Sequence, residues 1–133
     1  MRGLTRGVLL VQAVYYLATG VWPLVSLDSF VLVTGPKTDY WLVRTVALLV
    51  AVIGLALAIG ALGRRRTPEL LVLAFGGALA FATIDLTYAT GGRIPSIYLA
   101  DAVVQLGLVA LLGWSLRPRA RPLPLGEAPK PDR

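Results

Sequence analysis

Apolar positions along most of this chain do not alternate with polar ones at a helical or a strand period; they run on. Four stretches, at 7–25, 41–62, 70–89 and 97–116, carry Leu, Val, Ala and Gly all round, broken only by isolated polar residues. A helix of a soluble bundle keeps a charged face toward water, and none of these does. Each is close to the ~20 residues that cross a hydrocarbon core about 30 Å thick. The pattern predicts an all-α, polytopic membrane protein whose four-transmembrane-helix bundle occupies residues 1–116.

The punctuation between the runs agrees with that division. Asp39 reads as an N-cap for the second span, and Thr67-Pro68-Glu69 as N-cap, first-turn proline and an acid at the positive dipole end. Gly91-Gly92 closes the third span and Pro95-Ser96 opens the fourth. The apolar stretch 26–34, ending at Gly35-Pro36, is too short to span and reads as an interfacial or partly inserted turn of helix. Residues 117–133 are rich in Pro and Arg and read as a disordered cytoplasmic tail. Arg2 and Arg6 ahead of an apolar core resemble a signal peptide, but the run continues through Trp22 without a clean small-x-small cleavage site, so a retained first span is expected.

Composition sharpens the picture by what is missing. Charged residues are 15% of the 133 residues, against about 25% in a soluble domain. There is no Cys and no His, and Met1 is the single Met. These absences exclude disulfides, thiol redox chemistry, Cys- or His-ligated metals, His- or Met-ligated haem and His-based catalytic pairs. No cofactor and no metal site are therefore expected, and no enzymatic activity. Lys and Arg set the orientation. With the N-terminus inside, Arg2, Arg6, Arg64, Arg65, Arg66, Arg117, Arg119, Arg121, Lys130 and Arg133 are cytoplasmic, and only Lys37 and Arg93 face outward. Both termini are then cytoplasmic in a multi-pass cell (inner) membrane protein. The Arg64-Arg65-Arg66 run is first a topology signal, secondarily an anionic-lipid contact; nucleic-acid binding is not expected.

Three charges lie inside the spans: Arg44, Asp85 and Asp101. Such charges are costly in lipid and usually face a bundle interior or a wet cavity. With alternating helix directions, all three fall about 6–7 Å beneath the outer boundary, at a rise of about 1.5 Å per residue. Small residues Ala47, Ala51, Gly54, Ala58 and Ala61 form a stripe on the second span that Arg44 continues; Ala74, Ala78 and Ala82 lead to Asp85 and Tyr88 on the third. Tyr98, Asp101 and Gln105 share a face of the fourth, and Gln12, Tyr16 and Thr19 a side of the first. The expectation is an outward-facing polar pocket lined by Tyr16, Thr19, Arg44, Asp85, Tyr88, Asp101 and Gln105. One Arg against two Asp leaves a charge of minus one for a proton or a bound cation to neutralise. A purely structural reading stands beside it, with Arg44 snorkelling to headgroups and the Asp pair fixing helix register. Tyr15, Trp22, Tyr40, Trp41 and Trp114 read as interfacial anchors.

The four-span layout, with segments such as Tyr15-Tyr16-Leu17-Ala18-Thr19-Gly20, Thr34-Gly35-Pro36-Lys37-Thr38-Asp39 and Trp41-Leu42-Val43-Arg44-Thr45, resembles small uncharacterised bacterial inner-membrane proteins. In architecture it is similar to four-helix proteins of the DoxX type, a likeness that brings no functional residues with it. Small multidrug transporters differ in having a Glu within the first span, and quinone-linked disulfide-forming enzymes in their Cys pairs. EXPERA-type isomerases share intramembrane acids but also rely on His. The expected function is non-enzymatic binding of a lipid, small ligand or partner membrane protein within the bilayer. The alternative is a proton- or cation-coupled transporter or channel acting as a homo-oligomer. An enzyme using Asp85 or Asp101 as acid or base has no nucleophile–base pair or metal site to support it.

Overall fold

Small and polar residues make up much of what the chain buries, beside a layer of leucines. In the computed structural model, which describes residues 3–118, the buried seam holds Ala13, Ala47, Gly54, Ala61, Ala74, Ala78, Ala82 and Ala102 together with Thr5, Gln12, Gln105 and Ser115. The outward faces carry Leu49, Val52, Leu55, Ile59, Val72, Val103 and Leu111, each more than half exposed. Large aliphatic groups facing out and small or polar groups facing in is the arrangement stable in lipid, where burial of a Leu gains little and close backbone approach gains most.

Five helices form, with no strand among the described residues: α1 (Gly3–Val25), α2 (Leu27–Thr34), α3 (Tyr40–Leu62), α4 (Pro68–Thr90) and α5 (Ile97–Leu116). The expected spans are α1, α3, α4 and α5, and the short stretch before Gly35 is α2. The first three spans have 23 residues and the fourth has 20, enough for about 30–35 Å at 1.5 Å per residue. This is an integral membrane protein with a four-helix transmembrane bundle. The expected disordered tail lies, beyond Pro118, outside the described residues.

Capping follows the sequence in part. Thr67 Oγ1 accepts from the Leu70 amide at 3.3 Å, with Pro68 and Glu69 in the first turn of α4. Gly92, at φ 67°, ends α4 as expected: its amide reaches the Ala89 carbonyl at 3.1 Å and the Arg93 amide reaches Tyr88 at 2.9 Å. Asp39 and Ser96 occupy the N-cap positions of α3 and α5, but neither side chain caps. The Asp39 carboxylate instead accepts from Thr38 Oγ1 at 3.3 Å.

Two antiparallel hairpins make the bundle. In the first, α1 and α3 run in backbone contact: a Cβ placed on Gly20 would lie 2.7 Å from the Ala51 nitrogen, and one on Gly54 2.9 Å from the Leu17 nitrogen. In the second, α4 packs along α5. The α1 helix also packs on α5, while α3 meets α4 beside their short connection, where Leu70 lies over Gly60. At the opposite end α2 folds back across α1. Trp22 Nε1 donates to Ser29 Oγ at 2.8 Å, and the Trp22 and Phe30 rings meet edge to face at 5.5 Å. Gly35, at φ 83°, then passes so close to Pro95 that a Cβ would stand 2.7 Å from its ring; glycine meets both the left-handed backbone and the close approach.

Candidate functional site

Beneath α2, the space between α1, α3 and α5 holds a cavity of about 540 Å³, to which all five helices contribute. Its walls are apolar on the α3 side, from Val43, Val46 and Val50, and aromatic elsewhere, from Tyr15, Tyr16, Trp22, Phe30, Phe81 and Tyr98. The polar groups come from α1, α4 and α5. They meet because α1 packs antiparallel to α5 in a register that sets Tyr16 opposite Gln105 and Tyr15 opposite Asp101.

The hydrogen bonds form one connected set. Tyr15 donates its hydroxyl to Asp101 Oδ1. Gln105 Nε2 donates to the same oxygen at 3.4 Å, and Tyr16 donates to Gln105 Oε1 at 3.0 Å. One turn deeper on α1, Gln12 Nε2 donates to the Ala74 carbonyl at 2.8 Å. Asp85, on α4, brings its carboxyl within hydrogen-bonding reach of the Asp101 carboxyl and within electrostatic reach of Tyr15. It is 4% exposed, lines the cavity, and its Oδ2 has no hydrogen-bond partner. A buried carboxylate oxygen left without a donor is costly, by about 1–3 kcal/mol or more when charged. The site therefore has an unmet demand for a proton or a positive group.

Of the residues expected to form the pocket, Tyr16, Thr19, Asp85, Asp101 and Gln105 come together at the cavity. Arg44 and Tyr88 do not. The buried line along α3 is Ala47, Val50, Gly54, Leu57 and Ala61, and continued toward the start of the helix it leads to Val43. Arg44 is one residue, about 100°, further round and is exposed. No ion pair joins it to either Asp among the described residues, because α3 packs chiefly against α1 and meets α4 beside their connection, at the end of the bundle away from the acids. Tyr88 lies three residues past Asp85 and is 41% exposed.

Two residues of the site were not anticipated. Tyr15 was read as an interfacial anchor, although it stands one turn from Thr19 on the same side of α1 and its hydroxyl binds Asp101. Lys37, in the linker, lines the cavity mouth. Its ammonium donates to the Thr34 and Gly35 carbonyls at 2.7 and 3.0 Å and sits 5.3 Å from the centre of the Tyr98 ring. No sequence period marks a linker residue; only the short reach from Gly35 to Asp39 confines it to that end of the bundle.

Below Gln12 the polar set stops. Leu9, Leu57 and Leu112, all at most 1% exposed, close the core with Val8 and Leu108. Polar contact resumes only at the far end, where Thr5 Oγ1 donates to the Ser115 carbonyl at 3.4 Å and Arg6 Nε to the Ala61 carbonyl at 3.2 Å. Among the described residues the cavity is a cup, with no polar route through the bundle. No family model matches the chain, and neither the curated proteins nor the solved structures provide a match to it.

Proposed function

We propose that this is a non-enzymatic binding protein of a bacterial inner membrane that holds a small amphiphile or lipid in the cavity beneath α2. The observation that carries the reading is the pairing, in one cavity, of apolar walls with a buried acid, Asp85, one of whose carboxylate oxygens has no hydrogen-bond partner among the described residues. A volume of about 540 Å³ falls within the ~300–1,000 Å³ usual for small-molecule sites, which combine apolar lining with a few convergent polar groups. The bias of Lys and Arg toward one end supports an orientation with both termini cytoplasmic and the cup opening outward.

The alternative is proton- or cation-coupled transport. In its favour the polar set reaches from Asp85 to Gln12, well into the bundle. The leucine layer beneath favours binding over conduction, since transport would need Leu9, Leu57 and Leu112 to part.

Native mass spectrometry of protein released gently from its own membrane tests the binding reading. Wild type should carry a defined extra mass that Val46→Trp, which fills the cavity from its α3 wall, loses while remaining folded. The same bound mass in wild type and a folded Val46→Trp protein would place the ligand elsewhere. A wild type that emerges empty would turn the search toward partner proteins.

A further inference from the structure

Among the described residues, the two carboxylates of the cup have no cationic side chain against them. Arg44 is exposed, and the Lys37 ammonium is held at the rim by the Thr34 and Gly35 carbonyls. Asp101 Oδ1 is occupied by the Tyr15 hydroxyl and the Gln105 amide, whereas Asp85 lines the cavity and its buried Oδ2 has no hydrogen-bond partner among the described residues. A proton, a metal ion or an organic ammonium could answer that demand, and the surroundings discriminate among them. A hard divalent cation wants about six oxygen ligands, and the described residues gather no group of three acids or other metal-binding side chains. A proton alone gives no use to the aromatic lining. The rings of Tyr15, Trp22, Phe30, Phe81 and Tyr98 line the cavity, and aromatic surroundings suit a diffuse positive charge, which ring quadrupoles attract and desolvation strengthens. Tyr98 already receives one such charge from Lys37.

We infer that the ligand is a lipophilic organic cation, a substituted ammonium. Its charged head lies in the cavity against the Asp85–Asp101 pair, among the aromatic rings, and its hydrocarbon lies along the valines of α3. This rests on the ligand-binding reading above and names the chemistry of that site. The ammonium could belong to a free amphiphilic amine or to a lipid headgroup, and the experiment separates the two.

The full chain in an uncharged maltoside detergent is dialysed to equilibrium against labelled decyltrimethylammonium, with protein-free micelles subtracted. Saturable binding is expected, with decanol, of the same chain length and no charge, competing at least about tenfold less well. Asp85→Asn and Asp101→Asn, each nearly isosteric, should each weaken binding by about tenfold or more. Displacement by a short-chain phosphatidylethanolamine would assign the ammonium to a lipid headgroup; its failure to displace would assign it to a free amine.

Equal competition by decanol would overturn the cationic assignment while leaving an amphiphile site standing. Undiminished affinity in folded Asn variants would do the same. The comparison of decyltrimethylammonium with decanol needs no variant, so it decides even if the Asn proteins do not fold. Absence of saturable binding by either molecule would remove both this inference and the reading it rests on.

Discussion

Replacing Gly20 by alanine adds a single methyl group where α1 and α3 run closest, and the structure sets the consequence. The new carbon would stand 2.7 Å from the Ala51 nitrogen and 2.8 Å from the Ala47 carbonyl oxygen. Both are backbone atoms within a 23-residue helix, so neither can swing aside. Ordinary contact needs about 3.5 Å, so the seam must open locally by roughly 0.7–0.8 Å, a gap that forfeits a quarter to a half of each dispersion contact it touches. Overpacking of this kind costs about 1–3 kcal/mol. Alanine's backbone advantage over glycine in a helix, about 0.5–1 kcal/mol, acts in the opposite direction. Gly107→Ala is therefore the proper reference, since a Cβ there meets nothing within 4 Å. Gly20→Ala should unfold about 2 kcal/mol more easily than Gly107→Ala, measured by reversible unfolding in mixed micelles of a mild detergent and dodecyl sulfate. Equal unfolding midpoints for the two would refute the claim that backbone contact between α1 and α3 holds the first hairpin.

Arg44→Leu, at an exposed position with no ion pair among the described residues, should shift stability in the same assay by no more than about 0.5 kcal/mol; a loss of several kcal/mol would return Arg44 to the interior. Tyr15→Phe removes the hydroxyl that binds Asp101 and should cost about 0.6–2 kcal/mol, the range of interhelical hydrogen bonds in membranes; an unchanged midpoint would mean that this bond contributes nothing. The chain has no cysteine, so single cysteines report orientation without background. In intact cells Thr38→Cys should react with a membrane-impermeant thiol reagent and Arg65→Cys should not, and the converse labelling would invert the proposed topology.

The spans were legible because lipid selects for long apolar runs irrespective of which neighbour each helix meets. Asp85, Asp101, Gln105, Tyr16 and Thr19 were legible for a related reason: few polar residues are tolerated at that depth, so those present tend to converge. Rotation about each helix axis was not legible. The alanines of α3 fit a stripe through Ala51 and Ala58 that includes Arg44, and also the line through Val50 and Leu57 that α3 in fact buries. Only the pairing of α3 with α1 chooses between them, and that pairing depends on where Gly20 and Gly54 fall on opposite helices. Tyr15 was hidden by the same ambiguity, since a tyrosine near a membrane boundary fits an anchor as well as a donor.

The division into two hairpins bears on how the chain enters its membrane. The first hairpin closes by contact of small residues, but every side-chain hydrogen bond from α1 to the second is polar glue: Thr5 to Ser115, Gln12 to Ala74, Tyr15 to Asp101 and Tyr16 to Gln105. Both intramembrane carboxylates belong to the second hairpin, and a charged side chain within a span is costly unless it finds a partner. Synthesis from the N-terminus delivers α1 first, so its tyrosines and glutamine are already in the bilayer when α4 and α5 arrive. The order of the helices along the chain thus gives Asp101 its Tyr15 partner at the moment it leaves water, which a permuted chain beginning with α4 would not.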